Sequence, residues 1–230
     1  MDIISFLSEA PCTPFAPEWN WVIAEEMLTN VDFNKIAKII LQKEQEILNA
    51  FPPSNKSSVD AYTGLGENSL TSRYGSFNVF EWQDEEIQKL KTEIHLVYLK
   101  FLQILNDENM RDAPRRKVWI QSWANVMRKG EKISPHLHST SPYCYLGGHV
   151  VIQTEKTNTV YINPINQLND PNEHVSENKV GKLTFFQNNI PHYTTEYTGN
   201  SERITIAFDL VVDENPLVQT ATHLVLFDKI

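Results

Sequence analysis

The sequence predicts an α+β fold that is mainly β: a sandwich or barrel of antiparallel strands in the second half, supported by two helices from the first. Three observations carry this. Residues 117–212 contain six short runs rich in Val, Ile, Thr, Phe and Tyr, separated by turn residues at short intervals. No helical period interrupts them, which favours antiparallel pairing over a helix-covered parallel sheet. Two long segments before residue 110 repeat apolar residues at helical spacing instead.

The first helix is expected in "DFNKIAKIILQKEQEILNA". Ile36, Ile40, Lys43 and Ile47 recur at helical spacing, Ile39 and Leu48 widen the apolar stripe, and Asp32 can cap the start. Phe51-Pro52-Pro53 stops it. The second helix, "DEEIQKLKTEIHLVYLKFLQILND", opens on acids that suit a helix N-terminus and carries Ile87, Leu90, Ile94, Val97, Phe101 and Leu105 on one face. Between them, residues 60–80 hold three glycines; the Gly-x-Gly there has no preceding buried strand and no following Gly-Lys-Ser/Thr, so a phosphate loop is rejected. A structured loop over the mouth of the barrel is expected instead, with Arg73 and Tyr74 as candidate substrate contacts.

The six strand candidates are "KVWIQSWANVM", "YLGGHVVIQT", "NTVYINPI", "GKLTFFQN", "HYTTEY" and "RITIAFDLVV". The polar stretch from Asn166 to Gly181 reads as a long loop, a length usually reserved for lids or insertions. The apolar run Leu224 to Phe227 either completes the sheet or faces a second subunit, which leaves a homodimer open. Residues 1–110 are thus expected to form a helical support region and residues 111–230 the core of one compact domain.

Composition bounds the partners. With 41% apolar and 21% charged residues the chain is ordinary globular protein, and its formal charge of −9 speaks against a phosphate-binding surface, so no nucleic acid is expected. The basic run Met110 to Lys117 reads as a solvated loop. Two cysteines, Cys12 and Cys144, make no disulfide framework, and a reducing compartment is the default. The start lacks the basic n-region of a signal peptide, and no apolar run reaches the roughly 18 residues that span a bilayer. A soluble, intracellular protein without a membrane partner is the expectation.

The chemistry concentrates in "KISPHLH". His136 and His138 stand one residue apart before a strand, so an extended backbone sends both side chains to the same side. Taken alone the pair is weak. It gains weight from His192 at the head of a later strand and from Arg203 and Thr205, which alternate onto one face of the next. Imidazoles suit iron, zinc, copper or nickel, and three protein ligands leave open positions on an octahedral metal. An arginine deeper in the cavity offers a planar fork for a carboxylate. Metal and clamp together would chelate a small oxo-acid.

The stretch "WANVMRKGEKISPHLH…LGGHVVI…GKLTFFQNNIPHYTTEY…ERITIAFDL" resembles the iron(II)- and 2-oxoglutarate-dependent oxygenases, in particular a group abundant in bacteria and tailed phages. The resemblance spans about residues 118–212. It implies a double-stranded β-helix, a jelly-roll or cupin-like barrel with the N-terminal helices packed on its major sheet. By position, His136 and His138 would be the proximal metal ligands and His192 the distal one. Arg203, assisted by Thr205, would grip the far carboxylate of 2-oxoglutarate, and Asn125 of the Trp-x-Asn motif would touch the same co-substrate or shape its pocket; Trp123 is expected to pack. The implied reaction uses Fe(II), 2-oxoglutarate and O2 to hydroxylate a small-molecule or peptidyl substrate, with decarboxylation to succinate.

Two departures from the family pattern stand out. His138 occupies the position where most of the wider superfamily has Asp or Glu, and a neutral ligand there leaves more positive charge on the metal. Val151 stands where relatives often have a tyrosine near the co-substrate, a place that Tyr143 or Tyr145 would fill. Two rivals follow: a three-histidine cupin-type dioxygenase without 2-oxoglutarate, and a non-catalytic binding or assembly module. His95, His149, His174 and His223 are read as structural, and Cys144 as a small half-buried residue.

Overall fold

The computed structural model describes residues 1–53, 62–107, 117–165 and 173–229. The expected boundary at residues 110 and 111, and residues 110–116 of the basic run, lie outside them. In chain order the elements are β1 (Asp2–Leu7), β2 (Asn20–Met27), α1 (Phe33–Ala50), two short 3₁₀ turns (Leu70–Arg73 and Val79–Glu81), α2 (Glu85–Asp107), β3 (Lys117–Met127), β4 (Leu146–Gln153), β5 (Asn158–Ile162), β6 (Glu173–Glu177), β7 (Lys182–Gln187), β8 (His192–Thr194), β9 (Arg203–Val212), α3 (Leu217–Thr220) and β10 (Val225–Lys229).

Seven strands form one sheet in the order β1-β2-β7-β4-β9-β3-β10, and three form a second in the order β6-β5-β8; every pairing is antiparallel. Both helices pack on one face of the larger sheet. α1 begins where Asp32 accepts the Lys35 N–H at 3.0 Å and buries Ile36, Ala37, Ile40 and Ile47. α2 buries Ile87, Leu90, Ile94, Tyr98 and Phe101, with Phe101 stacked on Phe185 of β7. Ile204, Ile206, Phe208 and Leu210 of β9 complete this core. Alternation sends the neighbouring residues of β9 to the opposite face, toward the smaller sheet.

Two expectations change, and one left open is resolved. The first half is not only helical: β1 and β2 form a hairpin that extends the larger sheet by antiparallel pairing of β2 with β7. Both strands are short and separated by a proline-containing connection, so their period-two pattern is brief. The polar stretch after residue 172 contains β6, whose charged and exposed residues suit the edge of a sheet. The C-terminal apolar run completes the larger sheet as β10, paired with β3.

A half-buried ion network ties β6 to the larger sheet. Lys182 Nζ donates to Glu25 Oε2 at 3.1 Å and to Ser176 Oγ at 3.2 Å, and His174 Nε2 lies 3.3 Å from Glu25 Oε1. Burial alone would raise the Glu25 pKa, but the hydrogen bonds of His174, Ser176 and Lys182 and the lysine charge outweigh it and bring it down to about 2. His174 thus sits in this network, apart from the cluster of His136, His138 and His192. No helix among the described residues is long and apolar enough to cross a membrane.

Candidate metal centre

The segment 134–138 is a loop that meets β8 through one antiparallel bridge. His136 and His192 exchange both backbone hydrogen bonds, at 3.1 and 2.9 Å, and so face each other as a directly paired couple. The His138 N–H then donates to the Asn188 carbonyl at 2.9 Å, which holds the second residue of the pair on the same side. Three imidazoles result with centroids 4.4, 5.1 and 5.7 Å apart. One ligand nitrogen from each lies within 4.8 Å of the others.

The ring orientations are fixed from behind. Nδ1 of His136 lies 2.9 Å from the Ser134 carbonyl, Nδ1 of His192 lies 3.1 Å from the Ile190 carbonyl, and Nδ1 of His138 lies 2.6 Å from Asp209 Oδ1. Each Nδ1 faces an acceptor, which favours the proton on Nδ1 and Nε2 as the unprotonated nitrogen, the tautomer a metal requires. Burial first, then the adjacent His136 and His138, pushes the His192 pKa well below its ordinary value, so this imidazole is neutral and ready to coordinate. The donor set fits a divalent transition metal with open positions.

Trp123, Asn125, His149, Thr205 and Asp209 line the same cavity, of about 120 Å³, with Arg203 in its wall. Arg203 is 1% exposed. Its Nη1 lies 3.4 Å from Met127 Sδ, its Nε has no partner, and among the described residues no carboxylate pairs with it. Burial pushes its pKa down, opposed by Tyr161 and Tyr197, but only to about 10, so the guanidinium remains charged at neutral pH. A buried cation without a counter-charge is costly unless an anion completes the site. Asn125 is held by Thr71, whose Oγ1 lies 2.5 Å from its Oδ1, and by Thr205 at 3.5 Å.

The expected loop over the mouth is present: Thr63, Thr71 and Tyr74 line the cavity, and the Ser134 N–H donates to the Thr63 carbonyl at 2.7 Å. Tyr74 packs edge-on against Trp123 at 5.8 Å, and Trp123 lies 5.8 Å from His138, so this tryptophan both packs and forms the cavity wall. Arg73 does not line the cavity. It is buried, with Nε donating to the Phe51 carbonyl at 3.1 Å and Nη1 held by the Glu67 carbonyl and Ser72 Oγ.

Tyr145 also departs from expectation. Its hydroxyl meets Tyr98 of α2 at 2.7 Å and its ring packs on the helix-side core, because the chain has not yet entered β4 and does not follow that strand's alternation. Tyr143 is 39% exposed and is not part of the cavity wall. His149, expected to be merely structural, lines the cavity beside Phe186 and Tyr161 with no hydrogen bond to either ring nitrogen among the described residues. Its place on β4, opposite Ala207 of β9, was the available signal: alternation puts it on the same face as Gly147. Asp209 was overlooked in the same way, six residues after Arg203 and in phase with it.

Residues 121–209, from within β3 to within β9, match the family model described as "Putative 2OG-Fe(II) oxygenase". No curated protein matches the sequence. Among solved structures, a Pseudomonas putida prolyl-4-hydroxylase superposes with a TM-score of 0.54 at 12% identity, covering 83% of this chain and 92% of that one. The non-heme alpha ketoglutarate dependent carbocyclase SnoK from nogalamycin biosynthesis superposes with a TM-score of 0.51 at 9% identity, covering 90% and 88%. Identities this low carry the fold and not the reaction. The family match covers less than half of the chain.

Proposed function

We propose that the chain is an iron(II)- and 2-oxoglutarate-dependent oxygenase whose two sheets form a double-stranded β-helix. The observation that carries the reading is the meeting, in one cavity, of three imidazoles whose ligand nitrogens lie within 4.8 Å of one another with a buried arginine that has no carboxylate partner among the described residues. His136, His138 and His192 would hold the iron. Arg203, with Thr205 and Asn125 beside it, would receive the far carboxylate of 2-oxoglutarate. Iron and 2-oxoglutarate, when bound, supply the oxidising power: O2 is split so that one oxygen atom enters succinate as CO2 leaves, and the other enters a substrate C–H bond.

The chain's own part is to orient and to exclude water. The carbonyl and carboxylate acceptors behind the imidazoles keep Nε2 available without reorganisation. Trp123, Tyr74 and the Thr63 segment cover the site, which protects an oxidising centre from side reactions. The substrate is a small molecule or a peptidyl side chain that enters past Tyr74, and hydroxylation is the outcome proposed. The three-imidazole set also fits a cupin-type dioxygenase that binds its substrate directly, in which Arg203 would hold a carboxylate of that substrate; dependence of turnover on 2-oxoglutarate separates the two.

The test is succinate formation from 2-oxoglutarate by purified protein supplied with Fe(II) and ascorbate. Wild-type protein is expected to produce succinate, and His192→Ala and Arg203→Ala to produce little. Equal production by all three would remove the assignment.

A further inference from the structure

We infer that Asp209 is a positioning residue for the metal: its carboxylate fixes the His138 ring and supplies, one hydrogen bond away, the negative charge that the third ligand lacks. This inference rests on the metal reading above. Its first support is an asymmetry among the three imidazoles. His136 and His192 are held from behind by neutral main-chain carbonyls, whereas His138 alone is backed by a carboxylate, 2.6 Å from its Nδ1. His138 is also the ligand that stands where a carboxylate is the commoner choice. A carboxylate behind an imidazole raises its basicity and pins its ring, the role known for such partners at metal sites generally.

The second support is how the sequence makes room for the contact. Asp209 lies in phase with Arg203 and Thr205 on the cavity face of β9 and pairs across the sheet with Gly147 of β4. A Cβ at Gly147 would lie 3.1 Å from His138 Nδ1 and 2.6 Å from Asn188 Oδ1. Glycine at this position therefore keeps clear the space in which the His138 ring meets the carboxylate. Among the described residues Asp209 has no lysine or arginine partner, so its charge is not already compensated. The ring of His138 is further confined by Trp123 and by Phe186, 5.3 Å away.

The experiment is a titration of metal-free protein with Co(II), following the visible absorption of the bound ion, for wild type, Asp209→Asn, Asp209→Ala and Asp213→Asn. Asp213 is an exposed aspartate near the end of the same strand and controls for loss of a distant charge. Asp209→Asn keeps the shape and removes the charge; it is expected to weaken Co(II) binding about 10- to 100-fold and to shift the absorption bands. Asp209→Ala is expected to weaken it at least as much, with the unfolding temperature of the metal-free variants unchanged. Asp213→Asn is expected to bind as wild type does. Wild-type affinity and spectrum in Asp209→Asn would overturn the inference while leaving the metal reading intact. Failure of the wild-type protein itself to bind Co(II) would overturn both.

Discussion

His136 and His192 form a reciprocal backbone pair, so the metal centre is built into β pairing and not appended to it. Fifty-six residues of sequence separate the two, and a two-bond register closes the gap. The segment carrying His136 and His138 is otherwise loop, and metal binding should tighten it. Ni(II) at about 100 times its Kd is expected to stabilise the protein by about 2.7 kcal/mol, the mass-action value for a ligand that binds only the folded state. His136→Ala should abolish this shift in thermal unfolding.

Arg203 separates stability from function. Replacing it with methionine removes a buried charge that no described carboxylate balances, so the ligand-free protein is expected to keep or raise its unfolding temperature. The same variant loses the clamp for 2-oxoglutarate. Charged hydrogen bonds contribute about 1.5–3 kcal/mol each, so losing two raises the KM for 2-oxoglutarate by roughly 100-fold or more. Calorimetry and steady-state kinetics on one preparation check both halves. A large loss of stability in the ligand-free variant would mean that the fold itself holds the guanidinium.

Much of this architecture was legible in the sequence because its signals were strong and local. The two helices show their period over many turns, and Asp32 and Phe51-Pro52-Pro53 mark the ends of α1. The site residues His136, His138, His192, Arg203, Thr205 and Asn125 do meet around one cavity. Strand alternation pointed to His136 with His138 and to Arg203 with Thr205, whereas Asn125 came from the family resemblance. What was not legible depended on partners far away in sequence. β2 is defined by pairing with β7, β1 by pairing with β2 at the sheet's edge, and β6 by pairing with β5. Tyr145 was misjudged because its aromatic type suggested a contact, whereas Tyr98 on α2 draws its hydroxyl to the other side of the sheet. Asp209 carries no motif, and only the folded register brings it to His138.

Adjacent glycines in β4 make opposite demands. At Gly148 a Cβ would lie 2.4 Å from the Phe208 ring and 2.7 Å from the Thr184 carbonyl, on the helix side of the sheet. Gly148→Ala is therefore expected to destabilise by about 1–3 kcal/mol through overpacking. Gly147→Ala presses on His138 instead. It should cost metal affinity more than it costs stability, a split that denaturant unfolding of the metal-free protein and Co(II) titration resolve.

His149 sets a pH dependence. Burial first, and then the Arg203 charge, lower its pKa from 6.5 to about 3. Between those values the unfolded chain binds a proton that the folded chain excludes, so stability falls as pH drops from about 6.5 toward 3, by at most about 1.4 kcal/mol per pH unit for this group. His192, shifted in the same direction, adds to the slope. His149→Gln should flatten the profile without removing it, as read from urea unfolding at a series of pH values.

The central claim is that a metal held by three histidines and an anion held by Arg203 occupy one cavity. Anaerobic addition of 2-oxoglutarate to the Fe(II)-loaded protein, followed by visible absorption, tests it most directly: chelation of the iron by the keto acid creates a charge-transfer band. The account predicts that the band develops in the wild-type protein, is absent in His192→Ala, and requires far more 2-oxoglutarate in Arg203→Met. Absence of the band in wild-type protein that demonstrably holds iron, or an unchanged 2-oxoglutarate requirement in Arg203→Met, would contradict it.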